Sequence, residues 1–323
     1  MNKKISLKAA EIGRMWRAFW MAKPLITANN LGVFGHLKTP KTAGQVAARI
    51  KADPRATEIL LDAIAALGLI EKKGGRYVNG ETANALLVPS SAYYQGDIIR
   101  HADDLWRSWS SLDDVVRTGE PVPRERRDMG AFIRGMHNLA MFKAGPVLEA
   151  AGLEGVESAL DLGGGPGTYA MEMKKRGVHQ VTVFDRPETL VITRKNLRRH
   201  GQKISGVKFI AGDFLTDDIG AGYDFVLMSQ IMHSNSAEGC VSLLRKVRAS
   251  LNGKGRAVIH EFRLEENRTA PLYSALFSIN MLVGTVGGRC YTFSEYRSFL
   301  KQAGFRRVRK VLLDDTIIVE GRA

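Results

Sequence analysis

Cysteine is nearly absent: Cys240 and Cys290 are the two in 323 residues. Two thiols cannot build a disulfide framework, and neither has a CxxC partner or a histidine at zinc spacing. No structural metal is therefore expected, and a reducing, cytoplasmic compartment is. Proline is scarce, at 10 residues. No run approaches the roughly 18 apolar residues of a membrane span, and Arg14, Arg17 and Lys23 interrupt the first apolar stretch, so neither a signal peptide nor a membrane segment is expected. Acidic residues are outnumbered, 33 against 47 Lys plus Arg, for a net charge of +14. That sign favours anionic partners without choosing among nucleic acid, lipid and small molecules. The excess is not a tail: residues 1–127 hold 20 basic and 13 acidic side chains and the remainder 27 and 20, +7 each.

The length suits two domains of ordinary size. Residues 6–22 carry Leu7, Ala10, Ile12, Met15, Phe19 and Trp20 at helical spacing, predicting an amphipathic helix that needs a partner surface. From Pro24 to Leu87 the pattern is helix, turn, helix and ribbon. Thr42 opens TAGQVAARI, Asp53-Pro54 opens PRATEILLDAIAALGLI, and Gly74-Gly75 reverses a hairpin. This is a winged-helix pattern. One or two further helices, including WRSWSSLDDVV, lead into the proline-bearing GEPVPRERR segment, which sets the expected boundary: residues 1–127 helical winged-helix domain, 128–323 second domain.

After a helix expected over Met129–Ala151, the second domain alternates strands with helices: ESALDLG, QVTVFD, GVKFIAGD, YDFVLMSQ and RAVIHEF. That alternation predicts an α/β fold, a doubly wound Rossmann-like parallel sheet, closed by FRRVRKVLL and TIIVEGR. The first strand runs into Gly163, Gly164, Gly165 and Gly167, where such a sheet admits a ligand, and Asp185 ends the second strand 22 residues after Gly163. A carboxylate there can accept from two ribose hydroxyls, so the pair implies a nucleoside-containing cofactor. Thr168 occupies the place of a dinucleotide loop's third glycine, so the dinucleotide match fails.

The fourth strand leads to His233, and Glu261 ends the adjacent fifth. An imidazole with an unperturbed pKa of about 6.5 is suited to remove a hydroxyl proton near neutrality, and a carboxylate on its other nitrogen would orient it.

The form Asp161-x-Gly-x-Gly-x-Gly, with Asp185, the Gly212-Asp213-Phe214 turn, His233, Glu261 and GGRCYT at 287–292, resembles the S-adenosylmethionine-dependent O-methyltransferases of the caffeate and acetylserotonin type. The likeness covers nearly the whole chain. It implies S-adenosylmethionine as cofactor, with S-adenosylhomocysteine as product. It also implies a homodimer through the N-terminal domain, a small aromatic or polyketide-like acceptor, His233 as general base and Glu261 as its orienting acid. Asp213 and Phe214 fall where the family holds adenine. Arg186, beside Asp185, and Ser229 and Gln230, at the end of the fourth strand, complete the expected cofactor set. In relatives the acceptor pocket is lined from two regions, which correspond here to Phe132, Met136, His137 and Met141 and to Phe277, Asn280 and Met281. His137 and Asn280 are the polar candidates there, and Trp106 and Trp109 the candidates to close the pocket.

Three positions depart from the family. His233-Ser234-Asn235 stands where His-Asp-Trp is common, Ser229 where a lysine is, and Cys290 where a second acid flanks the base. They leave carbon methylation, or cofactor binding with other chemistry, as alternatives. A reading of another class is a winged-helix DNA-binding regulator that senses the cofactor. Against it, PRATEILLDAIAALGLI is too apolar for a recognition helix, and SQIMHSNS lacks the proline motif of enzymes that methylate base amines, so nucleic acid is not an expected partner.

Overall fold

The computed structural model describes residues 3–123, 128–201 and 206–322. The chain divides into two compact units, Met1–Asp103 and Asp104–Ala323. Residues 124–127, on which the expected boundary falls, lie outside the described residues.

In the first unit the apolar stretch at 6–22 forms two helices, α1 (Lys3–Trp16) and α2 (Phe19–Asn30), followed by α3 (Val33–His36). The break falls at Arg17-Ala18, where the bonding tightens to Ala18 N to Met15 O and Trp20 N to Arg17 O. Helical spacing persists across such a turn, which is why the pattern reads as one helix. Then come β1 (Lys41–Thr42), α4 (Ala43–Ile50), α5 (Pro54–Ala66), β2 (Ile70–Lys73), β3 (Arg76–Asn79) and α6 (Glu81–Leu86). Thr42 and Gln45 form a capping box, and the Asp53 carboxylate accepts from Ala56 N at 2.7 Å, so both helix starts are dictated locally. Antiparallel strands in the order β1-β3-β2 complete a winged-helix unit around Phe34, Leu37, Leu61, Ile64 and Tyr77. The division between units falls within α7 (Gly96–Trp109).

The second unit continues with α8 (Leu112–Thr118) and α9 (Met129–Ala151), then β4 (Ser158–Leu162), α10 (Thr168–Lys175), β5 (Gln180–Asp185), α11 (Pro187–Arg199) and β6 (Val207–Ala211). It closes with β7 (Tyr223–Ser229), a 3₁₀ turn at Met232–Ser234, α12 (Ala237–Ser250), β8 (Leu251–Phe262), α13 (Leu272–Gly284), α14 (Phe293–Gln302), β9 (Arg307–Leu312) and β10 (Thr316–Arg322). Seven strands form one sheet in the order β6-β5-β4-β7-β8-β10-β9, parallel except for β10, which runs antiparallel to both neighbours. The direction of winding reverses between β4 and β7, which opens a crevice at their carboxyl ends.

Two apolar layers cover the sheet. One includes Val147, Tyr169, Met173, Val183, Leu227, Val258 and Ile318, the other Leu160, Val226, Met228, Leu244, Ile259, Leu300 and Ile317. Val258 and Ile259 go to opposite layers, and the same alternation sends His260 one way and Glu261 the other. No helix among the described residues is long and apolar enough to cross a membrane.

Candidate active site

The crevice begins where β4 ends. Gly163 and Gly164 both donate their N–H to the Phe184 carbonyl, at 2.8 and 3.3 Å, folding the chain back beside β5. Gly163, with φ +67°, occupies the left-handed region that favours glycine, and a Cβ there would lie 2.8 Å from the Ile231 side chain. At Gly164 a Cβ would lie 2.8 Å from the Asp161 carboxyl group and 2.9 Å from Val183. The turn therefore presents bare backbone. Asp185 braces it from β5, accepting Gly165 N at 2.8 Å through one oxygen and Arg186 N at 2.7 Å through the other. A carboxylate has about four lone-pair sites, so it retains capacity for two hydroxyl donors. Burial raises its pKa and these N–H bonds oppose the rise.

Asp161 lies beneath the turn, 1% exposed, and accepts the Ala170 N–H at 3.1 Å. Burial pushes its carboxyl up to about 7, and the Asp185 charge adds to that shift. After β6, Gly212 N bonds the Asp185 carbonyl at 3.1 Å, and the Arg186 guanidinium lies 3.4 Å from an Asp213 oxygen. The Phe214 ring reaches within 3.6 Å of where a Gly163 Cβ would stand. Bare backbone, a ribose-competent carboxylate, a second acid and an aromatic edge thus meet at one place, a donor and acceptor set that fits an adenosyl group.

The other wall is made of side chains. One Glu261 oxygen accepts the Met232 and His233 N–H groups, at 2.8 and 3.3 Å, and the other lies 2.7 Å from His233 Nδ1. A carboxylate can only accept, so Nδ1 carries a proton, and in the neutral imidazole Nε2 keeps its lone pair. Both residues are buried, Glu261 at 1% and His233 at 8% exposure. Phe277 meets the imidazole edge to face at 5.0 Å between centroids, and Phe262 stacks at 6.1 Å. Cys290 belongs to an apolar cluster with Phe262, Leu264 and Phe277, and burial pushes its thiol up to about 12. Among the described residues the imidazole thus has one carboxylate partner, Glu261. Ser234 Oγ and Asn235 Nδ2 both donate to the Ile231 carbonyl at 2.8 Å, and Tyr291 donates to the Asn235 carbonyl at 2.7 Å. Those bonds hold the turn at the positions where the family's Asp-Trp stands.

The expected acceptor residues divide. Phe277 lies against His233, Met281 is buried on the same helix, and Asn280 accepts from Trp109 Nε1 at 3.0 Å. Phe132 and Met136 are half-buried on α9, as is Trp106 on α7. His137 and Met141 instead line a cavity of about 230 Å³ with Thr168, Asn196, Leu197 and His200. There His137 Nδ1 lies 2.8 Å from Thr168 Oγ1 and its ring 4.2 Å from that of His200, and burial lowers its pKa to about 4. Sequence reasoning missed Tyr169 and His260, which meet Ser229 beneath the crevice. The visible signal was a histidine inside the otherwise apolar strand RAVIHEF.

Residues 118–306 match an O-methyltransferase domain and residues 14–89 an O-methyltransferase dimerisation domain. The chain is similar to the 3-hydroxy-5-methyl-1-naphthoate 3-O-methyltransferase of Streptomyces sahachiroi, 32% identical over 305 residues, covering 90% of this chain and 88% of that one. It is 29% identical over 325 residues to the tetracenomycin polyketide synthesis 8-O-methyl transferase of Streptomyces glaucescens, covering 96% and 95%. Among solved structures, human N-acetylserotonin methyltransferase in complex with S-adenosylmethionine superimposes with a TM-score of 0.88 at 27% identity, over 100% of this chain and 98% of that one.

Proposed function

The chain belongs to the S-adenosylmethionine-dependent O-methyltransferases, and from that premise we propose that it methylates a hydroxyl group of a flat aromatic or polyketide-like acceptor, with His233 as general base. The observation that carries this reading is the 2.7 Å contact between His233 Nδ1 and Glu261. S-adenosylmethionine, when bound, supplies a methyl group activated by a sulfonium. The residues that would hold it are Asp161, Gly163, Gly164, Gly165 and Gly167 at the turn, Asp185 and Arg186 at the end of β5, Gly212, Asp213 and Phe214 after β6, and Ser229 and Gln230 at the end of β7.

His233 Nε2 removes the acceptor's hydroxyl proton as the oxygen becomes nucleophilic, and Glu261 stabilises the imidazolium that forms. Such help is worth about 10² to 10⁴ in rate, and alignment of the two reactants can be worth more, about 7 to 11 kcal/mol. Phe262 and Phe277 supply aromatic faces beside the base, which suits a planar acceptor. Asn280, whose amide oxygen is occupied by Trp109, offers its N–H groups to an acceptor oxygen. The substrates named for the two Streptomyces relatives agree with this class. The test is to incubate the protein with S-adenosylmethionine and a hydroxynaphthoate, then repeat with His233→Ala. We expect S-adenosylhomocysteine and an O-methylated product, and a turnover lower by about 10² or more in the variant with little change in cofactor affinity. Unaltered turnover would remove His233 from the mechanism.

The same premise supports a homodimer. Ile5, Leu7, Ile12, Met15, Trp16, Trp20 and Met21 on α1 and α2 are each 57–70% exposed, an apolar surface that a second copy would cover. Glutamates at Ile12 and Trp20 should shift the sedimentation coefficient to that of a monomer. The regulator reading gains nothing from α5, whose exposed charges are Arg55, Glu58 and Asp62, an acidic excess unsuited to phosphates.

A further inference from the structure

Strand β8 sends two consecutive titratable side chains to opposite faces, and the chemistry above uses one. Glu261 grips the base turn. His260 is fully buried in the other layer, beside Leu227, Val258 and Ile318. Its register partner on β7 is Ser229, whose Oγ lies 2.8 Å from His260 Nδ1. The Tyr169 hydroxyl, from the first turn of α10, lies 3.3 Å from the same nitrogen. The His260 carbonyl accepts the N–H of Gln230, a residue with φ +59°. Nε2 is buried with no partner among the described residues. A leucine would fill this layer without stranding a nitrogen, so packing alone does not account for a histidine here.

The position of Ser229 supplies the account. It ends β7 at the point where the strand order reverses, and Ile231, two residues on, presses against Gly163. Tyr169 follows Gly167 by two residues. The three side chains thus tie the ends of β7 and β8 to the helix that leaves the glycine turn. Two hydroxyls crowd one ring nitrogen that has a single lone pair; with the Ser229 O–H donated to Nδ1 and the Tyr169 hydroxyl bonded to Ser229, one Oγ lone pair is left to accept from an ammonium or N–H group. Burial keeps the imidazole neutral and able to accept, with its pKa lowered to about 4.

We propose that His260 is a positioning residue for the cofactor: it orients the Ser229 hydroxyl and holds the β7 terminus against the glycine turn, while Glu261 orients the base from the opposite face. This rests on the reading of the crevice as the S-adenosylmethionine site. The test is calorimetric titration of S-adenosylhomocysteine into the full-length protein, with melting temperatures as the check on folding. His260→Leu and Ser229→Ala should each weaken binding about tenfold, the double variant no more than either single one, as expected when two residues act through one contact. His260→Asn, whose amide oxygen replaces Nδ1 as acceptor at a similar distance from the backbone, should recover most of that loss. The KM for S-adenosylmethionine should rise far more than kcat falls. Unchanged affinity in Ser229→Ala overturns the proposal even if His260→Leu fails to fold, as do additive losses or an asparagine no better than leucine. A wild-type protein that does not bind the nucleoside overturns the site reading itself, an outcome separate from any of these.

Discussion

The two walls of the crevice are built from different material. The wall proposed for the cofactor is mostly backbone: a glycine turn, carbonyls and N–H groups, braced by Asp161 from the strand that enters the turn and by Asp185 from its neighbour β5. The wall that holds His233, the proposed base, is made of side chains. Glu261 reaches across from the neighbouring strand to residues 28 and 29 positions earlier in the chain, and Phe277 arrives from a later helix. At Gly163 and Gly164 the backbone wall has no room for an added atom, whereas a side-chain wall can lose a group and keep its shape. The first should fail by steric exclusion, the second by loss of chemistry.

Substitutions can break that contrast. Gly163→Val should abolish detectable heat with S-adenosylhomocysteine, because a β-branched residue is forced both into the left-handed region and against Ile231. Retained binding would show that the turn is not the cofactor's seat. On the other wall, Glu261→Gln keeps the volume but loses the charge. It should lower kcat by about 10- to 100-fold while leaving nucleoside affinity within about twofold, since the imidazolium then forms without its counter-charge. A large change in affinity with normal kcat would reverse the assignment of the two walls.

The smallest expected effect concerns Asp161 and is read in stability. Its folded pKa of about 7 lies above the unfolded value of about 3.9, so between these pH values the folded chain holds a proton that the unfolded chain has released. The contribution is fully present below the unfolded pKa and is lost as pH rises toward 7, at no more than about 1.4 kcal/mol per pH unit. Asp161→Asn keeps an acceptor for Ala170 without the titration. Denaturant unfolding at pH 5 and pH 7 should therefore show the variant gaining on the wild type as pH rises. A gap independent of pH would mean that burial does not hold this proton.

Much of this arrangement is legible in the residues. Helix caps, the Gly74-Gly75 turn and the alternation of apolar strands are local signals, and the helix expected over Met129–Ala151 has those bounds in the structure. The family-specific pattern from Asp161 through Glu261 is legible for the same reason: each member stands at a strand end, and strand ends are marked by where apolar runs stop. The break at Arg17-Ala18 is not legible, because a tightened turn preserves helical spacing. Nor is the destination of His137. Spacing along α9 says which residues share a face, and only packing against α10 and α11 says that this face meets Thr168 and His200.

Most elements, the glycine turn and the candidate acid and base can be read from the sequence alone, since these depend on propensities and patterns within a few residues. Tertiary structure decided which side chains meet. Strand order and the alternation of β8 put Glu261 on His233 and His260 on Ser229. Those pairings arise because strands distant in sequence lie one sheet spacing apart, a distance no local pattern encodes.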